Sequence, residues 1–539
     1  MPACDPHPVT PSLEQRIAAL KAELVTLIGA DNVRDDAASR ALFSEDIWAA
    51  TDQHAALIAT PRTVAELAKI VAAAHAGGFA IAPRGAGMSY TCSHLPVSEE
   101  CVIIDFTAMD QILDINADDM TVTVQPGVTW KSLYEVLSAV GLRTPFFGPM
   151  SGISSTIGGG ISQLNAMLGA GKYGTSSESV IALTMVLPDG STLKTGARGE
   201  GGNHPFYRHY GPDLTGLFCG DSGTLGLKGE ITLRLILAPA HEDYSAFSFG
   251  AGASMLGMLA DVARAGLASE TCGFDPGLTK VRLQRTSLKH DLKALGAVIA
   301  KEKSFAQGVM SAAKIAVGGR HFIEADEYSL HIIADGRSAA AVAADMAEIR
   351  QLAAKHGGRE IESTIARMIR AAPFPPANSI LGPQGEAWVP VHGMVALSRA
   401  PALFAAIQSL FAEMAPSFEC EGIYTGYLFT NVSTNAITIE PVFYWPHSWR
   451  AVHEHHVEAA HLSQLSKPAA NPAATAIVAE AKQRVIEIFM QFGCGHFQIG
   501  RTYPYRESRD DASARLLDGI KAIVDPKRQL NPGGLGFPL

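Results

Sequence analysis

The segment from residue 148 to residue 176 constrains the fold most, because it is rich in glycine and serine and contains almost no charge. Three consecutive glycines, Gly158–Gly160, are costly in backbone entropy. Such a run makes sense where the backbone must press close to a ligand, and Ser155 and Thr156 place hydroxyl groups beside it. A diphosphate held by backbone N–H groups would fit this segment. The alternative is a glycine-rich surface loop without a ligand.

Two further glycine loops have the same character. The loop Pro83–Tyr90 follows a predicted strand, and its two glycines allow successive N–H groups to converge on an anion. It is not a Walker motif, because no Gly-Lys-Ser/Thr follows, and it is not a Rossmann fingerprint, because no helix starts immediately after it. The third loop is Gly171–Ser176. A tight turn is the alternative interpretation of the first loop.

Hydrophobic periodicity predicts an α+β protein with a change of composition near residue 240. In the first part we expect helices at 11–30, 63–75 and 127–140, and strands at 80–82, 102–106, 121–124, 180–187, 191–195 and 229–236. Beyond it we expect alanine-rich helices at 252–266, 337–355, 400–414 and 473–492, and strands at 327–333, 387–396, 422–430 and 436–443. The second pattern predicts an antiparallel sheet with helices on one side. The predicted domains are 1–240, 241–493 and a C-terminal segment 494–539 that returns to the first domain.

Charge and cysteine usage exclude several classes. The 539 residues carry a net charge of −10 without a basic block, so nucleic acid is not an expected partner. No run of about 18 apolar residues occurs, so we expect no transmembrane segment, and the N-terminal residues lack the features of a secretory leader. The seven cysteines are scattered without CxxC spacing, which is typical of free thiols in a reducing cytoplasm. A homodimer is possible.

The order of the motifs resembles one flavoprotein family. PRGAGMS, VQPGVTW, STIGGG, GKYGTSSESVIALTMVLPDGSTLKTG and DSGTLGLKGEITLRL follow one another between residues 83 and 235. This order is similar to that of the FAD-binding domain of the vanillyl-alcohol oxidase / p-cresol methylhydroxylase (PCMH-type) family. The resemblance covers roughly residues 50–240, and the segment Val524–Gly533 resembles the family's closing signature. It implies a PCMH-type FAD-binding domain with an α+β cap domain.

The resemblance also implies where FAD is bound. The residues it places around the pyrophosphate, ribose, ribityl chain, adenine and flavin edge are Arg84, Gly85, Ala86, Gly87, Met88, Ser89, Ser155, Thr156, Gly158, Gly159, Gly174, Ser176, Gly226, Ile231 and Asn531. Many members attach FAD covalently through a histidine of the first loop. Met88 stands at that position and cannot form the bond, so we expect non-covalent FAD.

The substrate side is less well defined by sequence. Removal of a hydride from a C–H bond requires a neighbouring group that deprotonates a hydroxyl or stabilises an anion. The candidate catalytic residues are Tyr90, His392, Glu440, His496, Arg501 and Tyr503. Tyr90 lies where phenol oxidases of the family carry a substrate-binding tyrosine, and Arg501 could bind a carboxylate or a phenolate. We expect His453–His456 to lie on a solvated helix.

Three functions remain open. The first is FAD-dependent transfer of a hydride from a phenolic or benzylic alcohol to flavin N5, with oxygen or another acceptor reoxidising the flavin. The second is oxidation of a D-2-hydroxy acid, as in the lactate-type dehydrogenases of the same family. Their His-x6-His metal pair is replaced by Asn431 and Thr438, so we expect no metal. The third is a catalytically silent flavin-binding protein.

Overall fold

The computed structural model describes residues 11–285 and 326–539. Cys4 and the N-terminal residues on which the leader prediction depends lie outside the described residues. The six other cysteines are free thiols. None of the described helices is both long and apolar enough to cross a bilayer.

The N-terminal part of the chain forms two small sheets and a separate two-stranded pair, in which Leu142–Arg143 lies antiparallel to Ile236–Leu237. The first sheet has four strands in the order Val33–Arg34, Leu57–Ala59, Cys101–Asp105 and Ala80–Arg84. Its last three strands are parallel, and the helices Leu13–Ile28 and Val64–Ala76 pack their apolar faces on it. The second sheet is antiparallel, in the order Ile112–Asn116, Thr121–Val124, Leu227–Arg234, Val180–Val186 and Thr192–Lys194.

Side-chain caps fix where the first helices begin. Ser12 accepts from the backbone N–H of Gln15, and Gln15 in turn accepts from that of Ser12, a complete capping box. Thr63 caps the next long helix by accepting from Glu66 N. Further helices in this part are Ala37–Phe43, Trp130–Ala139, Ile157–Gln163, Ala170–Tyr173 and Leu214–Leu217.

The second part is built on one large antiparallel sheet. Its strands follow the order Arg359–Ile361, His241–Phe249, Tyr328–Gly336, Glu270–Phe274, Tyr424–Val432, Ala436–Trp445 and Ala387–Pro390, and Gly393–Ala396 also pairs with Ala436–Trp445. The helices that cover it or join its strands are Gly252–Ala265, Pro276–Arg285, Ala339–Lys355, Thr364–Ala371, Ala400–Cys420, Ala451–His456, Ala459–Leu462 and Pro472–Gln491. Four of these, the long alanine-rich helices, contribute to the main hydrophobic core.

The C-terminal residues return to the first sheet. Helix Asp511–Val524 precedes a turn, after which Gln529 and Leu530 lie beside the strand Ala80–Arg84. The backbone N–H of Ile81 donates to the carbonyl of Gln529 at 2.7 Å. This contact fixes the C-terminal segment next to the loop that begins after Arg84.

Most predicted elements agree with the structure to within a few residues, and the α+β fold class with a PCMH-type domain is confirmed. Two elements differ. The predicted strand 387–396 is divided into Ala387–Pro390 and Gly393–Ala396, and the break lies at Val391 and His392. The glycine run, predicted as a loop, begins a short helix, Ile157–Gln163, because Thr156 caps it by accepting from Gly159 N.

Candidate active site

A deep cleft lies between the loops of the first part and the large sheet of the second. It holds about 2040 Å³ of empty space, including space open to solvent. One wall is formed by the loop after Arg84 and by the start of helix Ile157–Gln163. The facing wall is formed by side chains of the strands Tyr424–Val432 and Ala436–Trp445. The cleft therefore brings the predicted cofactor loops and the predicted substrate domain together.

The first glycine loop is shaped by its contact with the second. A Cβ on Gly85 would lie 2.4 Å from Oγ1 of Thr156, and a Cβ on Gly87 would lie 2.3 Å from Nη2 of Arg84. Gly87 also has a φ of +73°, which disfavours other residues. Only glycine fits at either position, so the backbone of this loop can approach a ligand in the cleft closely.

Eleven of the fifteen predicted cofactor residues line the cleft. They are Arg84, Gly85, Ala86, Gly87, Met88, Ser89, Ser155, Thr156, Gly158, Gly159 and Gly226. Arg84 is buried with its guanidinium 4.1 Å from the centre of the Phe43 ring. Burial lowers the pKa of this guanidinium to about 10, and it remains charged at neutral pH.

Four predicted cofactor residues do not line the cleft of the described chain. Gly174 ends helix Ala170–Tyr173 with a φ of +79°. Ser176 donates to the carbonyl of Gly160 at 3.1 Å, so it supports the glycine run from behind. Ile231 is a core residue of the second sheet. Asn531 accepts from Arg501 and donates to the carbonyl of Ser222. These positions shape the cleft without facing it.

Three polar residues that the sequence analysis missed line the cleft. Gln163 Oε1, Asn165 Oδ1 and Ser222 Oγ are buried, and within the described chain none of these atoms has a hydrogen-bond partner. Buried polar atoms are normally paired, so three unpaired ones in one cleft indicate a polar ligand. Gln163 and Asn165 follow directly after the glycine run, and this proximity was the only sequence signal. These unpaired polar atoms and the glycine walls fit FAD, whose ring and ribityl groups include hydrogen-bond donors and acceptors.

Glu440 faces the cleft from the middle of strand Ala436–Trp445. The two-residue repeat of a strand turns Thr438, Val442 and Tyr444 to the same side, and all four residues line the cleft. The Glu440 side chain is only 14% exposed. Burial raises the pKa of its carboxyl group to about 7. A carboxyl group with this pKa can both accept and release a proton near neutral pH.

Tyr90 contributes a hydroxyl group to the same region. Its ring is buried and meets the ring of Trp388 edge-on at 5.6 Å, and its oxygen accepts from Nε2 of Gln498 at 2.7 Å. Burial and the nearby carboxyl of Glu440 raise the pKa of the Tyr90 phenol, so it stays protonated. All three residues line the cleft. The phenol can therefore donate its own proton to a ligand.

His392, His496 and Tyr503 form a layer behind this wall rather than part of it. His392 is fully buried and stacks on Phe497 at 3.7 Å, and its Nε2 donates to the Phe497 carbonyl at 2.6 Å. His496 donates from Nδ1 to the His392 carbonyl, and the Tyr503 hydroxyl accepts from the His392 backbone N–H. Burial lowers the pKa of His392 to about 3. None of the three lines the cleft in the described residues, so their expected direct contact with substrate is not supported.

Nδ1 of His392 is 3.9 Å from Oε2 of Glu440. Because Nε2 carries the proton that is donated to Phe497, Nδ1 presents a lone pair to the carboxyl group. A neutral histidine adds no positive charge, so it does not oppose the effect of burial on Glu440. The neutral His392 therefore leaves the raised pKa of Glu440 in place.

Arg501 was expected to bind a carboxylate or a phenolate of the substrate, but its guanidinium contacts other parts of the protein. Its guanidinium donates to the carbonyls of Cys92, Leu95 and Pro532 and to Oδ1 of Asn531. It does not line the cleft as the structure describes it. A guanidinium with four protein acceptors has little capacity left for a substrate carboxylate or phenolate. The expected role as an anion clamp is therefore not supported.

The prediction of a solvated helix for His453–His456 is wrong for two of its members. His453 is fully buried, and Nε2 of His456 donates to the carbonyl of Ala86 in the first glycine loop at 2.8 Å. The helix packs on the first part of the chain instead of facing solvent. Among the described residues there is no group of three or more His, Cys, Asp or Glu side chains placed to hold a metal ion.

Comparisons with known proteins agree with this geometry. Residues 55–196 match the FAD binding domain family. The chain is 33% identical over 223 residues to glycolate oxidase subunit GlcD of Bacillus subtilis, which is 41% of this chain and 45% of that protein. It is 32% identical over 200 residues to D-lactate dehydrogenase [cytochrome] 1, mitochondrial, of Saccharomyces cerevisiae, covering 37% and 32% of the two chains. The chain thus spans less than half the length of these curated relatives.

The whole fold matches solved structures at low sequence identity. The structure of p-cresol methylhydroxylase with substrate bound superposes with a TM-score of 0.72 at 16% identity, covering 97% of both chains. This likeness shows the fold alone. Together with the matched domain, it confirms the predicted resemblance.

Proposed function

Because the chain contains an FAD-binding domain of the p-cresol methylhydroxylase type and FAD is its cofactor, we propose that it oxidises a small phenolic or benzylic alcohol. The bound flavin supplies the hydride acceptor for such a reaction. The observation that carries the proposal is Glu440, a carboxyl group that faces the cleft with its pKa raised to about 7. The matched cofactor loops lie in the same cleft.

Glu440 is the base in this proposal. Its ionised form accepts the hydroxyl proton of the substrate, which leaves electron density on oxygen to assist departure of the hydride from carbon. No Lys or Arg lies within ion-pair distance of this carboxylate among the described residues, and the histidine beside it, His392, is neutral. The site therefore keeps the proton affinity of Glu440 high.

Tyr90, Trp388 and Gln498 form the binding surface for the substrate ring and its oxygen. Trp388 and Tyr90 offer aromatic faces and edges, and the Tyr90 hydroxyl, oriented by Gln498, donates to the substrate oxygen. This arrangement suits an aromatic alcohol better than a short aliphatic acid.

The glycine loops hold the cofactor in this proposal. Arg84–Ser89 and Ser155–Gly159 bind the pyrophosphate side, and Gln163, Asn165 and Ser222 pair their free atoms with polar groups of the cofactor. Met88 lines the cleft and cannot form a bond to the flavin, so the cofactor is held without a covalent link at that residue.

Oxidation of a 2-hydroxy acid is the second candidate. Arg282 lines the cleft, with its guanidinium 4.1 Å from the centre of the Phe274 ring, and it supplies a positive charge on the substrate side. This charge would favour an anionic substrate over a neutral one. The relatives named glycolate oxidase and D-lactate dehydrogenase favour the same candidate.

Anaerobic bleaching of the flavin distinguishes the candidates. The purified holoprotein is mixed with a panel of 4-substituted phenols and benzylic alcohols and, separately, with both enantiomers of lactate and 2-hydroxyglutarate. We expect loss of absorption near 450 nm with members of the first panel. Bleaching by hydroxy acids alone would replace the first candidate with the second. If neither panel bleaches the flavin while dithionite does, the protein is a flavin-binding protein without either activity.

A further inference from the structure

A short strap follows the first glycine loop and carries the proposed substrate tyrosine. We define the strap as Ser89–Leu95, and Tyr90, Ser93 and His94 within it line the cleft. Cys92 at its centre has a φ of +58°, an unfavourable conformation for a residue other than glycine. The strap therefore needs contacts from outside to keep this shape.

Arg501 supplies two of these contacts. Its Nη1 donates to the carbonyl of Cys92 at 2.9 Å and to that of Leu95 at 2.6 Å. Two acceptors three positions apart in sequence thus share one nitrogen, which holds the second half of the strap in a curve. Cys92 is also held through its backbone N–H, which donates to Oδ2 of the fully buried Asp46 at 2.7 Å.

The other face of the guanidinium reaches the C-terminal residues. Nε donates to the carbonyl of Pro532 at 3.1 Å, and Nη2 donates to Oδ1 of Asn531 at 2.9 Å. Nδ2 of Asn531 then donates to the carbonyl of Ser222 at 2.7 Å. Ser222 and Gly223 line the cleft from a segment of the chain distant in sequence from the strap. One arginine and one asparagine therefore connect two separate segments of the cleft lining.

We propose that Arg501 is a positioning residue that fixes the strap and, through Asn531, the turn Asp221–Thr224, so that these two segments of the cleft lining are held together. The planar guanidinium is required because it directs donors toward the strap and toward Asn531 at the same time. FAD affinity would depend on this connection, since both segments line the cleft whose residues fit the cofactor. The strap also positions Tyr90 for the substrate, and this effect rests on the proposed function. The effect on FAD affinity does not.

This role differs from an anion clamp in what its loss changes. A clamp that bound only substrate would raise KM and leave FAD binding and backbone protection unchanged. Loss of a connection between the strap and the turn would weaken FAD binding and loosen both segments together. The experiment therefore measures FAD affinity and local hydrogen exchange, and neither readout uses turnover.

Four variants are compared with the wild-type protein. Arg501→Met removes all four hydrogen bonds of the guanidinium, and Arg501→Lys keeps the charge without the planar fork. Asn531→Ala removes the bond from Arg501 Nη2 and the link to Ser222, but leaves the bonds of Arg501 to Cys92 and Leu95. Arg509→Met is the matched control, because Arg509 is exposed and does not touch the strap. FAD is removed from each protein, and the dissociation constant is measured by titration with FAD and quenching of its fluorescence.

We expect Arg501→Met to raise the dissociation constant for FAD about tenfold or more, because charge-assisted bonds to buried carbonyls are lost. Arg501→Lys should recover part of this loss, and Arg509→Met should match the wild type. Amide hydrogen exchange should accelerate in 89–95 and in 221–224 for Arg501→Met, but mainly in 221–224 for Asn531→Ala.

Two results would overturn the proposal. One is an unchanged FAD dissociation constant with unchanged exchange in both segments. The other is acceleration of exchange throughout the large sheet, which would mean that the substitution destabilises the whole protein. If Arg501→Met does not fold, Arg501→Lys and Asn531→Ala decide by the same readouts. Failure of the substrate panel would leave these measurements unaffected, so the two proposals fail separately.

Discussion

Burial changes what the carboxyl group of Glu440 does. In water a glutamate is ionised well below neutral pH, but transfer to the cleft wall penalises its charged form and raises the pKa to about 7. His392, whose pKa is lowered to about 3, stays neutral beside it and gives no compensating positive charge. The residue can therefore accept a proton near neutral pH, as the proposed function requires.

A pH profile and one substitution test this role. The protonated acid cannot act as a base, so the rate constant for flavin bleaching by a substrate should rise with pH and level off above about 7, the pKa of Glu440. Glu440→Gln should lower that rate constant about 10²- to 10⁴-fold and abolish the rise. The exposed Glu413→Gln is the control. An unchanged rate in Glu440→Gln would remove Glu440 from the mechanism.

At the scale of elements, the glycine run works by close packing as much as by flexibility. The start of helix Ile157–Gln163 lies against Pro126, and a Cβ on Gly158 would be 2.5 Å from Pro126 Cβ and 2.9 Å from its carbonyl oxygen. At Gly159, in the same turn, the nearest atom is Thr156 Oγ1 at 3.1 Å. Two neighbouring glycines of one motif therefore have different reasons to be glycine.

These two positions make a matched pair. Gly158→Ala should lower the free energy of unfolding by about 1–3 kcal/mol, because backbone has to move to relieve the overlap. Gly159→Ala should stay within about 0.5 kcal/mol of the wild type. Urea unfolding of the FAD-free proteins measures both values, so that a change in FAD affinity does not contribute to the difference. Equal effects in the two variants would contradict the packing argument.

At the scale of the whole molecule, buried charges join the two parts of the chain. Arg143 of the first part lies 3.4 Å from Asp335 of the large sheet, and Arg370 pairs with both Asp335 and Glu270. Glu270 also accepts from the backbone N–H of Gly169 at 2.8 Å. These groups are almost fully buried, so each charge depends on its partners, and those contributed by the first part are Arg143 and the Gly169 N–H.

Removing one charge from this cluster should be costly. Arg370→Met leaves carboxylates buried without their main partner and should lower the free energy of unfolding by about 3–5 kcal/mol. The exposed pair of Arg484 and Glu413 offers the control, and Arg484→Met should cost at most about 1 kcal/mol. Thermal unfolding of the two variants side by side measures the difference. Similar losses in both would mean that the cluster does not hold the interface.

The sequence alone determined the elements and the cofactor loops. Hydrophobic periodicity, caps such as Thr63 and the glycine runs act over a few residues, so their consequences can be read locally. The predicted helices and strands agree with the structure for this reason, and the ordered motifs identified the FAD-binding domain. Membership of a motif does not say which side chain faces a ligand. Four predicted cofactor residues therefore belong to the motifs but do not line the cleft in the described chain: Gly174, Ser176, Ile231 and Asn531.

Only the tertiary structure decided which polar residues face the cleft. Arg501, Glu440 and His392 were equal candidates in sequence, because nothing local tells whether a side chain meets backbone carbonyls or open space. The folded chain turns Arg501 onto Cys92 and Leu95, places His392 behind the wall, and leaves Glu440 exposed to the cleft. Raised or lowered pKa values come from burial and from neighbours distant in sequence, so the chemistry of the site is a property of the fold.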